Sequence, residues 1–269
     1  MHLLTTDEHR QVLDRLVNLI GKSGGTKIHA AGVEYTSLMA CFLLHSKGSA
    51  ESILTLYERF GEEWFPATTG YVIVRTLFEV DVVAHYISRD RTARSSRYIA
   101  YEHILNKRMM DTVSKLRTSP NQSWAGGMKL LFDHGYAPQQ ATIDTEYARV
   151  RSQFEDAKGK PLRSWSGKSI REMAVEVDHA EAYDVFYADL SSFAHGSVKL
   201  ANRFLRLKTG DIGWSQRANA FDVASVFRYA AIFLACLMEH FGAEFGTWSE
   251  IEVRDCWHFP EAAGRTAVP

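Results

Sequence analysis

The residues best equipped for chemistry lie in the stretch YADLSSFAHGS, where Tyr187, Ser191 and His195 follow an i, i+4, i+8 line and Ser192 stands three before the histidine. On a helix that spacing makes one edge hydroxyl, hydroxyl, imidazole. An imidazole at a helix C-terminus faces carbonyls that favour its protonated form, so His195 could act as an acid near neutral pH, or simply cap those carbonyls. Gly196 permits the left-handed turn that would end the helix there. A second group lies in RTLFEVDVVAHYISRD, where Arg75 and Glu79 are four apart among Val72, Val74, Leu77, Val80 and Val83. Charges set in so apolar a helix need partners, either each other or a neighbour, and such a pair can serve chemistry or docking alike. Asp81 and His85 repeat the spacing on another side of the same helix and are expected near its surface.

Other motifs fail on spacing. GKS at Gly167–Ser169 resembles the end of a phosphate-binding loop, but the glycine required five residues earlier is Leu162. Glu176 and His179 have the Glu-x-x-His spacing of helical two-metal sites, yet no second such pair exists, and Glu102–His103 and Glu239–His240 are adjacent rather than three apart. No Cys/His cluster has zinc spacing. The expectation is therefore no metal and no other cofactor. A serine hydrolase built on Ser191 or Ser192 would lack both the Gly-x-Ser-x-Gly elbow and an evident oxyanion hole.

The elements that must carry these side chains read as helices throughout. TDEHRQVLDRLVNLIGK opens with a Thr/Asp cap, sets Val12, Leu16, Leu19 and Ile20 on one stripe and stops near Gly21. GVEYTSLMACFLLHSKG reads as an enclosed helix ending at Gly48, followed by a shorter helix from Ser49. The Arg75 segment is rich in Val and Ile but runs for about 20 residues without a turn signal, longer than an ordinary strand. TARSSRYIAYEHILNKRMMDTVSKL, with Tyr98, Tyr101, Ile104 and Leu105 at helical spacing, is the next helix. Gly, Pro, Ser and Asn between residues 118 and 138 suggest an irregular insert, and RLKTGDIGWS reads as a loop. The expected architecture is an all-α, single-domain multi-helix bundle over 1–269. Its parts are N-terminal helices in 1–65, a core in 66–206 and a long core helix within 214–246.

Composition sets outer limits. A chain of 269 residues with 46% hydrophobic and 12% aromatic content can bury a full core. A formal net charge of -1 opposes non-specific coating of nucleic acid or anionic membrane, which needs a large cationic excess. Cys41, Cys236 and Cys256 are odd in number and widely spaced, which suits a reducing cytoplasm, with the thiols of the helical runs packing as small hydrophobes. The start MHLLTTDEHRQVL has none of the marks of a signal peptide. Val223–Phe241 nearly reaches bilayer length but is interrupted by Arg228 and closed by Glu239 and His240, so it reads as a core helix and no membrane partner is expected. Between Ser88 and Arg97, Arg89, Arg91, Arg94 and Arg97 stand against Asp90; this is a solvated helix face or a phosphate-meeting patch, with Tyr98 and Tyr101 placed to pack or to stack on bases.

RTLFEVDVVAHYISRD, WSGKSIREMA and YADLSSFAHGS together resemble the bacterial domain-of-unknown-function family 5677, over about Thr69 to Arg206. That family is in turn similar to the HEPN-like helical domains, many of them metal-independent RNases of toxin–antitoxin or phage-defence systems that work at a dimer interface. The resemblance implies a HEPN-like core, an RNA substrate, a protein partner or antitoxin, a homo-oligomer and His195 as the catalytic histidine. The arginine that precedes the histidine in those nucleases has no counterpart here, where Tyr187, Ala188, Asp189 and Leu190 stand. Arg75 could supply the missing guanidinium if its helix packs on the His195 helix, with Glu79 fixing it. The expected catalytic set is His195, Arg75, Glu79 and Ser191, and the expected substrate contacts are Tyr187, Ser192, Trp165, Arg94 and Arg97. The rival expectation is a non-catalytic helical binding protein whose Arg/Glu/His network is structural.

Overall fold

A computed structural model describes residues 4–22, 32–119, 122–194, 205–208, 211–214 and 218–258. The described residues form two compact units, one within Met1–Arg89 and Ile170–Pro269, the other within Asp90–Ser169.

The first unit is built on helices α1 (Thr6–Lys22), α2 (Val33–Trp64), α3 (Ala67–Ser88) and a long helix near the C-terminus, α10 (Ala220–Phe245). Helix α1 begins at a reciprocal cap: Thr5 Oγ1 accepts from the Glu8 backbone N–H at 3.2 Å, and the Thr5 N–H donates to Glu8 Oε2 at 2.7 Å. Its buried stripe is Val12, Leu13, Leu16, Val17 and Ile20, close to the stripe read from the sequence. Helix α10 packs on α1, α2 and α3 and is apolar nearly all round because it is enclosed nearly all round. Asn219 caps its start by accepting from the Phe221 N–H at 2.9 Å, and Gly246, at φ 64°, ends it in the left-handed conformation. Phe227 shows how the core is held: it is fully buried, with the Tyr57 ring edge-on at 5.2 Å and the Phe65 ring at 5.8 Å. Burying such a ring contributes about 1.5–3 kcal/mol.

By length and hydropathy α10 is the one described helix that could cross a membrane; 67% of its most apolar window lies inside the fold. Short elements complete the unit: α7 (Ile170–Glu176), α8 (Ala180–Ala182), a π-helical turn at Tyr183–Tyr187, α9 (Ala188–Ala194) and α11 (Glu250–Asp255). Both α7 and α9 pack on α3.

The second unit holds α4 (Arg91–Leu116), capped by the Asp90 carboxylate, with α5 (Gln122–Leu131) and α6 (Gln140–Val150) against it. Met110 and Val113 of α4 meet Phe132 there, with Met128, Tyr136 and Ile143 around them.

Three local expectations change. The helix expected to end at Gly48 continues, so α2 is one element to Trp64, and helical geometry breaks only at Gly61, at φ 65°. A mid-helix glycine costs only about 1 kcal/mol, too little to stop a helix whose apolar face stays covered. The stretch 118–138 contains α5 and a π-helical turn, Phe132–Tyr136, since Phe132 anchors it on α4. The expected loop at 205–214 contains an antiparallel pair, β1 (Leu205–Lys208) and β2 (Asp211–Trp214), in which Leu205 pairs with Trp214 and Leu207 with Ile212. Each strand offers only two apolar positions, too few for alternation to stand out. Apart from this hairpin and an isolated bridge between Glu155 and Pro161, the regular elements among the described residues are helices.

Candidate functional site

Helix α3 is the spine of two polar clusters. It can carry them because Val74, Leu77, Phe78, Val82 and Ala84 anchor it in the core, leaving its remaining faces for α7, α9 and the turns beside them.

The first cluster is Arg75, Glu79 and Tyr187. Arg75 Nε donates to Glu79 Oε1 at 2.9 Å, one helical turn away, and Nη2 donates to the Tyr187 hydroxyl at 3.1 Å. The same hydroxyl donates to Glu79 Oε1 at 2.7 Å, and the guanidinium carbon lies 5.2 Å from the Tyr187 ring centre. Tyr187 is set by its ring, stacked on Tyr183 at 4.6 Å and tilted against Phe78 at 5.8 Å, and by the π-helical turn that ends at it. Such turns are frequent at functional sites. Burial works against the Arg75 charge, but Glu79 and the Tyr187 hydroxyl outweigh it and push its pKa up. Burial and the bond to Glu79 raise the Tyr187 pKa as well, so it remains a phenol. The Arg75 side chain keeps 21% exposure and that of Glu79 31%, so a fixed cation remains within reach of solvent.

Helix α9 is pinned beside this cluster by Phe193, whose ring stacks on Tyr71 of α3 at 4.6 Å and 13°. Tyr71 in turn donates to the buried Asp222 of α10 at 3.1 Å. Ser191 is half-buried on α9, and Ser192 turns back on its own helix, donating to the Asp189 carbonyl at 2.7 Å. His195 lies outside the described residues. Arg94, Arg97 and Trp165 belong to the second unit. There Arg97 Nε donates to the Trp165 carbonyl at 2.7 Å and its guanidinium covers the Phe154 ring at 5.0 Å, while the buried Trp165 ring meets Tyr98 edge-on. Arg97 therefore ties the chain around residue 165 to α4.

The second cluster overturns the surface placement expected for Asp81, which is only 1% exposed. Asp81 Oδ2 faces His179 Nε2 at 3.1 Å, and Oδ1 lies 3.3 Å from His85 Nδ1. The His85 N–H itself goes to the Asp81 backbone carbonyl at 2.9 Å, which leaves Oδ1 buried without a hydrogen bond. The His85 ring lies 4.8 Å from that of His179 and 4.1 Å from that of His240 on α10. His240 Nε2 meets Ser88 Oγ at 2.6 Å, and Ser88 also pairs with the Tyr35 hydroxyl at 2.8 Å. Burial alone would push the Asp81 carboxyl up, yet the hydrogen bond from His179 and the charge of both neighbouring imidazoles bring it below its ordinary value. The bond to Asp81 in turn raises His179. Burial pushes the nearby Cys236 thiol up to about 12, so it stays protonated. Asp81, His85 and His179 each bring one ligand atom within 4.8 Å of the others and could hold a metal ion.

A model of a family described as a family of unknown function, DUF5677, matches residues 36–212, more than half of the chain. The chain belongs to that family. No curated protein and no solved structure matches it. The DUF5677 span contains all of the first cluster and the Asp81, His85, Ser88 and His179 of the second, whereas His240 and Tyr35 come from outside it. The second cluster escaped the sequence reading because 98 residues separate Asp81 from His179. The available signal was the Asp81–His85 spacing, which an apolar helix would have to bury or pair.

Proposed function

We propose that this protein acts on RNA, as a bacterial HEPN-like protein of toxin or phage-defence type, cleaving the strand as a homodimer without help from a metal. The observation that carries this reading is the Arg75 guanidinium, locked by Glu79 and Tyr187 yet still partly exposed, on the helix that packs against α9. Helix α9 ends at Ala194, one residue before His195. In the proposed reaction His195 takes the proton of a ribose 2′-hydroxyl and the 2′-oxygen attacks the adjacent phosphorus. The bond to the 5′-oxygen breaks, leaving a 2′,3′-cyclic phosphate and, after protonation, a free 5′-hydroxyl. Arg75 neutralises charge growing on the phosphate oxygens, and a guanidinium already held in place needs no reorganisation to do so.

The test is cleavage of a mixed-sequence RNA by the purified protein in the presence of EDTA, compared with His195→Ala and Arg75→Ala. Cyclic-phosphate ends from the wild type and their loss in both variants support the proposal. No cleavage by the wild type, or equal cleavage by His195→Ala, removes it.

A second reading has its own support. The three groups of the first cluster satisfy one another, as a network that only docks helices would. On that reading the protein is a helical binding module, and RNA cleavage is absent throughout.

A further inference from the structure

We infer that Asp81, His85 and His179 form a binding site for a divalent first-row transition cation. This goes beyond the RNA-acting reading and stands or falls without it.

Three independent features of the geometry point there. The first is the donor set: among the described residues this is the one group of three such side chains whose ligand atoms all lie within 4.8 Å of one another. Metal–ligand bonds of about 2.0–2.2 Å set tetrahedral ligand atoms roughly 3.3–3.6 Å apart, so a pair at the full spread must close by about 1.2–1.5 Å, shared between two side chains through rotation. Two imidazoles and one carboxylate suit zinc, cobalt, nickel or iron(II), whereas magnesium and calcium prefer oxygen donors throughout.

The second feature is how His179 is aimed. Residue 178 is an aspartate at φ 63°, a left-handed conformation that Asp tolerates better than most residues, and it ends α7. The His179 N–H then closes the turn on the Ala174 carbonyl at 2.8 Å. Its ring Nδ1 donates to the Val177 carbonyl at 2.8 Å, which leaves Nε2 as the atom facing Asp81. Metal-bound histidines are commonly oriented in this way, with the other ring nitrogen on a backbone carbonyl.

The third feature is Asp81 itself. A carboxylate only 1% exposed has an oxygen, Oδ1, that accepts no hydrogen bond. A buried acceptor left so is costly, and a cation between Asp81, His85 and His179 would satisfy it. The side chains of both histidines keep 22% exposure, so the ion has a path in and a position for water. His240 lies against His85 but is held by Ser88, which makes it a positioning residue.

The ion would join α3 to the turn after α7. Its test is titration of the metal-stripped full-length protein with cobalt(II) chloride, read by visible d–d absorption and by melting temperature. The expected result is saturation at about one Co2+ per chain with a higher melting temperature, and no such rise with Mg2+. His179→Ala is the decisive variant, because it sits on a partly exposed turn; folded by circular dichroism, it should bind at least about tenfold more weakly. His85→Ala should behave alike. Absence of cobalt absorption in the wild type, or an unchanged titration in folded His179→Ala, overturns the site and leaves an imidazole–carboxylate pair only.

Discussion

The Tyr187 hydroxyl donates to Glu79 Oε1 across 2.7 Å although 108 residues of chain separate the two. The Tyr187 hydroxyl oxygen also accepts from Arg75 Nη2, so one phenol closes a ring of three groups. Tyr187→Phe keeps the stacking on Tyr183 and removes both bonds. It should lower stability by about 1.5–2 kcal/mol, the lower part of the range for hydrogen bonds to charged groups because solvent reaches the site. Urea denaturation with an unchanged slope checks this. If the first cluster also serves catalysis, RNA cleavage should fall in the same variant, since Arg75 loses one of its restraints.

Two glycines in helices should respond to alanine with opposite signs. A Cβ at Gly242 would lie 2.6 Å from the Trp248 carbonyl oxygen and 2.8 Å from Trp248 Cδ1, where Trp248 reaches over α10 to bond the Met238 carbonyl. The overpacking cost, about 1–3 kcal/mol, exceeds the helix-propensity gain of about 1 kcal/mol. At Gly48 a Cβ meets nothing, so only the gain remains. Melting curves should show Gly242→Ala less stable than the wild type and Gly48→Ala more stable.

The buried His9 should make stability depend on pH. Burial depresses its pKa below the ordinary 6.5; its N–H to the Thr5 carbonyl opposes this and Arg228 adds to it. Below 6.5 the unfolded chain therefore binds protons that the folded chain refuses. Its contribution is complete above 6.5 and is lost as pH falls toward the depressed folded value. The wild type should lose melting temperature more steeply than His9→Gln from about pH 7 to pH 5. Parallel curves would show that His9 contributes nothing to the slope.

Cysteine labelling should separate the thiols. Cys41 is exposed, whereas burial pushes the Cys236 thiol up to about 12. At pH 8 such a thiol is thiolate in only about one molecule in ten thousand, and the thiolate is the reactive form. Mass spectrometry after a short iodoacetamide pulse on the native protein should find Cys41 modified and Cys236 untouched. The exposure of Cys41 also departs from the packed role expected for thiols in apolar helical runs.

Much of the helical architecture was legible because its signals are local. Val12, Leu16 and Ile20 repeat at helical spacing and are buried together, and the apolar run Val223–Phe241 lies within the enclosed α10. Arg75 and Glu79 were legible as a pair for the same reason, being one turn apart on one face. The short strands and the passage of α2 through Gly48 were not, because four-residue strands carry little pattern and a single glycine is a weak punctuation mark.

Sequence alone determined which segments coil and which faces of them are apolar, since caps and periodicity act within a few residues. Only the tertiary structure decided that Tyr187 would close on Arg75 and Glu79, and that His179, directed by the left-handed turn at Asp178, would meet Asp81 inside the fold. Helical spacing sets the face from which a side chain projects; the face it meets is chosen by packing of the whole core, which no local pattern encodes.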